Sequence, residues 1–335
     1  MKHQNNNMSS HTAGVIGIGS YLPEKVLTNA DLEKIVDASD EWITGRTGIR
    51  QRHIAAEREA TSDLATCAAL NALRDAGMNS RQLDMIIVAT FTPDTMMPST
   101  SSQVQKHIGA LNACALDINA ACSGFVYGLA IAHQFVAIGT TKNVLVIGAE
   151  TLSKYLNWDD KSTCVLFGDG AGAAVVSKTD NGSGILGWHL GTDGTQPREN
   201  LMLVGSGSAK EQFTTLEQRQ NYISMNGRAI FKFSVDILPD IVNTTLRKSN
   251  LTLDQVDLII PHQANKRIIE TAAERLGLSK EKFYVNIDRR ANTSAASIPI
   301  AMVDARNEGK LKNRDIVVLA GFGAGLTWGG IAMKF

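Results

Sequence analysis

The sequence predicts an α/β fold built from two similar halves, with helices covering mainly buried sheets. Three observations carry this. Strand-like apolar runs alternate with helical segments, the pattern recurs at nearly one offset, and a cluster of turn formers lies between the copies. In chain order, "MIIVAT" (85–90), "NVLVIGAE" (143–150), "GAAVVSK" (172–178), "LIIPH" (258–262) and "DIVVLAGFG" (315–323) read as strands, apolar enough to be buried on both faces. "SDLATCAALNALRDAG" (62–77) and "NKRIIETAAERLG" (265–277) read as amphipathic helices. In the second, Ile268, Ile269, Ala272, Ala273 and Leu276 recur at helical spacing.

The recurrence is specific. "QLDMIIVAT" at 82 resembles "QVDLIIPHQ" at 255, an offset of 173, and "NVLVIGAE" at 143 resembles "DIVVLAGF" at 315, an offset of 172. Asn119 in "NAACSG" precedes Asn292 in "NTSAAS" by 173 residues. One such pair arises between any two strand–helix units; three in order point to a duplication. The expected layout is a disordered Asn/Ser-rich leader (1–11), an N-terminal half (12–180) and a C-terminal half (181–335). The join falls near "SKTDNGSG" (177–184), which is rich in turn formers.

Composition narrows the function. The chain has 335 residues, is 44% apolar and 20% charged, and carries no formal net charge. That size suits two ordinary domains or one large duplicated one. A neutral balance speaks against a basic nucleic-acid-binding surface. The longest apolar-rich stretch, near 120–139, is broken by Ser123, His133 and Gln134, so it reads as a buried core helix rather than a membrane span. The four cysteines (67, 114, 122, 164) show neither a CxxC pair nor metal-ligand spacing. They read as reduced thiols of a cytoplasmic protein, with no metal site.

A free cysteine is by default a small buried hydrophobe, the reading given to Cys67, Cys114 and Cys164. Cys122 differs in context. It lies between a strand-like "ALDI" and a helix-like "SGFVYGLAIAHQFVAIG". There the positive end of the helix dipole favours thiolate and lowers the thiol's pKa. Its neighbours Ala120, Ala121, Ser123 and Gly124 leave room for a substrate. Among seven histidines, His53 reads as part of an Arg-rich loop, and His107, His133 and His189 lie on or beside apolar segments. His262 stands apart at a strand's C-terminal end, where α/β proteins commonly place chemistry, although a satisfied structural histidine fits equally. Asn292 lies in a run too small and polar for ordinary core; a helix N-cap is the plainer reading, compatible with a site role. "GFGAG" (321–325) follows a strand and can bring backbone N–H groups near a ligand, but matches no phosphate-loop pattern.

The segments "AACSG", "PHQANKRI", "NTSAAS", "GFGAGLTWG", "SDEWITGRTGI" (39–49) and "FGDGAGAAV" (167–175) together resemble the β-ketoacyl-acyl-carrier-protein synthase III family, the condensing enzymes that start type II fatty acid synthesis. The resemblance runs from about residue 14 to the C-terminus. It implies the thiolase-like fold, two duplicated halves in a five-layered αβαβα structure, as a homodimer. It also implies a triad of Cys122, His262 and Asn292, and an oxyanion hole from the backbone N–H groups of Cys122 and Ala324. CoA contacts fall on Trp42, Arg46, Lys161 and Arg267; Lys161 stands where the family carries an arginine. Contacts to acyl carrier protein fall on Lys232, Arg267 and Arg275, for which a solvated charge is the bland alternative. Met97 takes the position of an acyl-pocket plug that reaches across the dimer, or simply packs there. Ala291 replaces the family's usual glycine before "NTSAAS". The substrates implied are acyl-CoA and malonyl-acyl carrier protein; no cofactor is needed.

Four other readings compete. An elongating synthase would pair its cysteine with two histidines, whereas the third member here reads as Asn292. A specialised relative taking medium-chain or aryl acyl-CoA would share the triad. A degradative thiolase would need a second cysteine in the Gly-rich loop, which "GFGAG" lacks. A non-catalytic partner subunit would lack the nucleophile.

Overall fold

A computed structural model describes residues 12–179, 182–203 and 221–335. The leader 1–11 and part of the join at 177–184 lie outside them. Two main sheets carry the architecture. The first runs in the order Ala13–Tyr21, Gly170–Lys178, Asn143–Glu150, Met85–Ala89, Cys114–Ile118. The second runs Leu258–Pro261, Ile316–Gly323, Thr327–Lys334, Gly184–Thr192. Parallel pairs sit at equivalent places: Met85–Ala89 beside Asn143–Glu150, and Leu258–Pro261 beside Ile316–Gly323.

Side-chain alternation along these strands builds the layers. Ile87, Val144 and Val146 of the first sheet, with Leu258, Ile260, Val317 and Leu319 of the second, face a shared central core. Two helices fill it, Gly124–Ala137 and Ser297–Asn307, contributing Phe125, Leu129, Ile298 and Met302. Phe125 and Leu129 are fully buried, each contributing about 2 kcal/mol of apolar transfer. Ile86, Val88, Leu145 and Ile147 turn outward under the helix Thr61–Asp75. Ile259, Val318 and Ala320 turn outward under Gly227–Lys248 and Lys266–Leu276. The result is helix, sheet, helix, sheet, helix: the five-layered α/β arrangement. Among the described residues no helix is long and apolar enough to cross a membrane.

The offset seen in the sequence reappears in the elements. Strands start at 85 and 258, and at 143 and 316; 3₁₀ turns start at 121 and 294, and the central helices at 124 and 297, each pair 173 apart. Some details differ from expectation. The strand from Leu258 ends at Pro261, leaving His262 just beyond it. His53 lies on a short strand, Gln51–Ile54, with Nδ1 2.7 Å from the Pro23 carbonyl, rather than in a loop. Cys164 is buried, but Cys67 is half-buried and Cys114 is exposed. Cys114 opens the edge strand Cys114–Ile118, where one side has no partner strand among the described residues.

Candidate active site

Cys122 sits in a 3₁₀ turn, Ala121–Ser123, between the edge strand and the central helix Gly124–Ala137. Asn119 shapes the turn by accepting the Ala121 N–H at 3.1 Å, and Ala121 adopts φ +45°. The Gly-rich loop passes directly beneath: a Cβ added at Gly323 would stand 2.8 Å from the Cys122 nitrogen. Thr327 Oγ1 lies 2.9 Å from the carbonyls of both Ala120 and Ala324, so it ties the nucleophile turn to that loop.

His262 follows its strand into the same cavity and is 2% exposed. Its Nδ1 lies 2.7 Å from Ser297 Oγ, which also accepts the Gln263 N–H at 3.3 Å. Ser297 Oγ has one proton and two lone pairs; when it donates to Nδ1, the imidazole proton is on Nε2, the nitrogen left free. The ring also stands edge-on to Phe322 at 5.3 Å. Burial pushes His262 down to about 3, so the imidazole is neutral.

Asn292 departs from the helix-cap reading. Neither the 3₁₀ turn Ser294–Ala296 nor the helix Ser297–Asn307 takes it as N-cap. Its Oδ1 accepts the Ser294 N–H at 2.9 Å, which fixes the amide orientation and leaves Nδ2 as the free donor. Ala291, where a glycine was expected, takes φ +56°, with its side chain fully buried.

Cys122, His262 and Asn292 therefore line one apolar pocket, with Phe231, Ile268 and Phe322. A second pocket shares Cys122 and opens past Phe91, Asn119, Leu203 and Ala324. Cys122, Phe167 and Leu201 line both. The Cys122 thiol does not behave as its helix-end position suggested. Burial is the largest influence on it and pushes it up to about 12, outweighing the hydrogen bond from Ser294. The resting cysteine is a thiol.

The outer residues cluster in part. The helix Asp40–Thr47 starts at Ser39, whose Oγ accepts the Trp42 N–H, and ends at Gly48 with φ +83°. It presents Arg46 over the Trp42 ring at 4.7 Å, with Lys161 5.8 Å from the same ring. Lys161 also donates to the Asp37 carbonyl at 2.9 Å. Asn265 donates to the Arg46 carbonyl at 3.0 Å, which brings Arg267 beside this group; Arg267 lies 5.6 Å over Phe231. Lys232 is exposed next to Phe231. Arg275 departs from the docking expectation: it donates at 2.7 Å to both the Val235 carbonyl and Asp236, so its charge is already paired. Met97 is 86% exposed and lines neither pocket of its own chain.

Sequence reasoning missed Ser294, Ser297, Thr327 and Glu150. Ser294 Oγ lies 3.3 Å from both Cys122 Sγ and Glu150 Oε1. Two signals were present: the serines of "NTSAAS", and a lone acid ending the apolar run "NVLVIGAE".

Comparison with known proteins shows the family and the fold. Family models for 3-oxoacyl-[acyl-carrier-protein] synthase III match residues 116–194, and for its C-terminal part residues 246–335. A β-ketoacyl-[acyl-carrier-protein] synthase III of Caldanaerobacter subterraneus is 54% identical, covering 96% of this chain and 98% of its own. The crystal structure of the Aquifex aeolicus synthase III superposes with a TM-score of 0.89 at 48% identity, covering 96% of this chain and all of that one. That of Thermus thermophilus gives 0.91 at 45%, covering 96% and 99%. The chain thus belongs to the 3-oxoacyl-[acyl-carrier-protein] synthase III family, the thiolase-like acyltransferases that start fatty acid synthesis by condensation.

Proposed function

We propose that Cys122 carries an acyl group from acyl-CoA, acetyl-CoA first among them, and that His262 and Asn292 direct its condensation with malonyl-acyl carrier protein. The observation that carries this reading is the convergence of a buried thiol, a neutral imidazole and a side-chain amide on one apolar pocket. In the first half-reaction, sulfur attacks the thioester and CoA leaves. The oxyanion is received by the backbone N–H groups of Cys122 and Ala324, both of which line the second pocket. In the second, the malonyl group loses carbon dioxide, and negative charge develops on its thioester oxygen. Nε2 of neutral His262 and Nδ2 of Asn292 donate to that oxygen. The resulting carbanion attacks the acyl-cysteine and releases 3-oxoacyl-carrier protein. No step calls for a metal or an organic cofactor.

Trp42, Arg46, Lys161 and Arg267 form the CoA entrance: an aromatic face with positive charge around it suits a nucleotide carrying phosphates. Exposed Lys232 and Arg267 offer the acidic carrier protein a docking point. The working unit is a homodimer in the cytoplasm. The strand Cys114–Ile118, open on one side among the described residues, and exposed Leu116 and Met97 supply a surface for a second copy.

The test is a panel of acyl-CoAs read as mass gained on the intact protein, followed by malonyl-carrier protein. Acetyl-CoA should add one acetyl group, Cys122→Ala should add none, and 3-oxoacyl-carrier protein should form. Labelling of Cys122 without condensation would overturn the reading.

A further inference from the structure

Glu150 ends its strand in complete burial, and none of the steps above gives it a task. Its two oxygens differ. Oε2 accepts from Thr92 Oγ1 at 2.6 Å, from Thr90 Oγ1 at 3.1 Å and from the Thr92 N–H at 3.1 Å. Oε1 has only Ser294 Oγ at 3.3 Å and a long contact from the Phe91 N–H at 3.4 Å. Ser294 Oγ is also 3.3 Å from Cys122 Sγ. A hydroxyl carries one proton, so Ser294 donates to the carboxylate or to the sulfur, never to both at once. The line from Sγ through Oγ to Oε1 therefore has two proton arrangements, thiol with carboxylate or thiolate with carboxylic acid.

We propose that Glu150 stores the Cys122 proton between the two half-reactions, receiving and returning it through Ser294. The inference rests on the acyl-transfer reading of Cys122. During acylation the S–H bond breaks, Ser294 takes that proton, and its own passes to Glu150 Oε1. The sulfur electron pair forms the bond to the acyl carbon, and CoA departs as thiolate. The single negative charge thus passes from the carboxylate to the departing CoA thiolate. During condensation the carbanion displaces the cysteine sulfur, which departs with the electron pair and regains the stored proton through Ser294. The carboxylate is then restored for the next cycle.

His262 is poorly placed for this storage, being held neutral by burial with Nδ1 taken by Ser297. Burial lifts Glu150 to about 8, which brings its proton affinity towards that of the thiol. Facing the carboxyl, the residues after strand Met85–Ala89 and the turn at Ser294 present hydroxyls and amides (Thr90, Phe91, Thr92, Ser294). The ionisable groups that feel its charge are the Cys122 thiol and the Tyr155 phenol.

The experiment is single-turnover acylation of the full chain by acetyl-CoA, followed by intact mass from pH 6 to 10. The wild-type rate should rise through an inflection near 8, as Glu150 loses its proton and becomes an acceptor. Glu150→Gln and Ser294→Ala should lose the inflection and fall about a hundredfold above it. Glu150→Asp should recover part of both. Ser294→Ala leaves the threonine contacts of Glu150 in place, so it separates proton storage from a packing role and decides the matter even if Glu150→Gln does not fold. A folded Ser294→Ala or Glu150→Gln variant with the wild-type rate and profile overturns the proton store alone. A wild type that does not acylate overturns the acyl-transfer reading, and the store with it.

Discussion

The turn that carries Cys122 and the turn that follows Asn292 are the same structure used twice. Asn119 and Asn292 each accept the N–H two residues ahead, at 3.1 and 2.9 Å. Ala121 and Ser294, each that second residue, take φ of +45° and +49°. Left-handed backbone costs a non-glycine residue about 1–2 kcal/mol, yet both halves retain it. The strands beneath match as well. Gly148 and Gly321 occupy equivalent places, and each leaves space for the other half's turn. A Cβ on Gly148 would stand 2.2 Å from the Ala295 carbonyl oxygen, and one on Gly321 would stand 3.0 Å from the Ser123 Cα. The halves share a backbone and differ in what it presents: a thiol from one, an amide donor and a serine from the other. Duplication supplied the scaffold, and side-chain divergence made the chemistry.

The comparison is broken most severely by exchanging its two asparagines for alanine. Asn292→Ala should lose condensation by about 10²–10³-fold, the usual effect of removing one charge-stabilising donor, while acylation of Cys122 continues. Asn119→Ala removes only a turn contact, worth about 1 kcal/mol of stability. Rates of 3-oxoacyl product formation, beside chemical unfolding, distinguish the two; equal losses of condensation would contradict the assignment. The glycines come next. Gly148→Ala drives a methyl into rigid backbone and should destabilise by about 3 kcal/mol, whereas Gly321→Ala meets a looser contact and should cost about 1 kcal/mol. Thermal melting of both variants ranks them.

The contrast is sharpened through pH as well. His262, on the C-terminal side, has its pKa pushed down from 6.5 to about 3. Below 6.5 the unfolded chain binds a proton that the native chain refuses, so this group makes stability fall as pH drops from about 6.5 towards 3. Glu150, on the N-terminal side, is pushed up from 4.5 to about 8. Between those values the native chain holds a proton that the unfolded chain has lost, so this group makes stability fall as pH rises. Each slope approaches about 1.4 kcal/mol per pH unit. They oppose one another between about 4.5 and 6.5. Urea midpoints of His262→Gln should therefore fall steadily from pH 4.5 to 8. Those of Glu150→Gln should rise to 6.5 and then level off.

Much of this site was legible beforehand because its residues occur in short local patterns. Cys122 and His262 each follow a strand-like run, and Cys122 and Asn292 lie among small residues that ordinary core does not use. Trp42 and Arg46 fall within one helix that is capped by its own serine and glycine. What was misjudged depends on contacts between distant segments. Cys114 reads as apolar core from its neighbours, but its strand lies at a sheet edge. The helix-end position of Cys122 suggested an acidic thiol, but the packing of the other half around it raised the thiol instead. Arg275 reads as a free charge, until the helix Gly227–Lys248 brings Asp236 beside it.

The sequence by itself determined the α/β class, the repeat and the candidate residues of the site, because periodicity, turn formers and functional side chains are written locally along the chain. Only the tertiary structure decided their protonation and alignment. It gave His262 a Ser297 partner, turned the Asn292 amide towards the pocket and joined Cys122 through Ser294 to Glu150. Those outcomes follow from burial and from hydrogen bonds between segments as much as 172 residues apart, and such distances are set by packing.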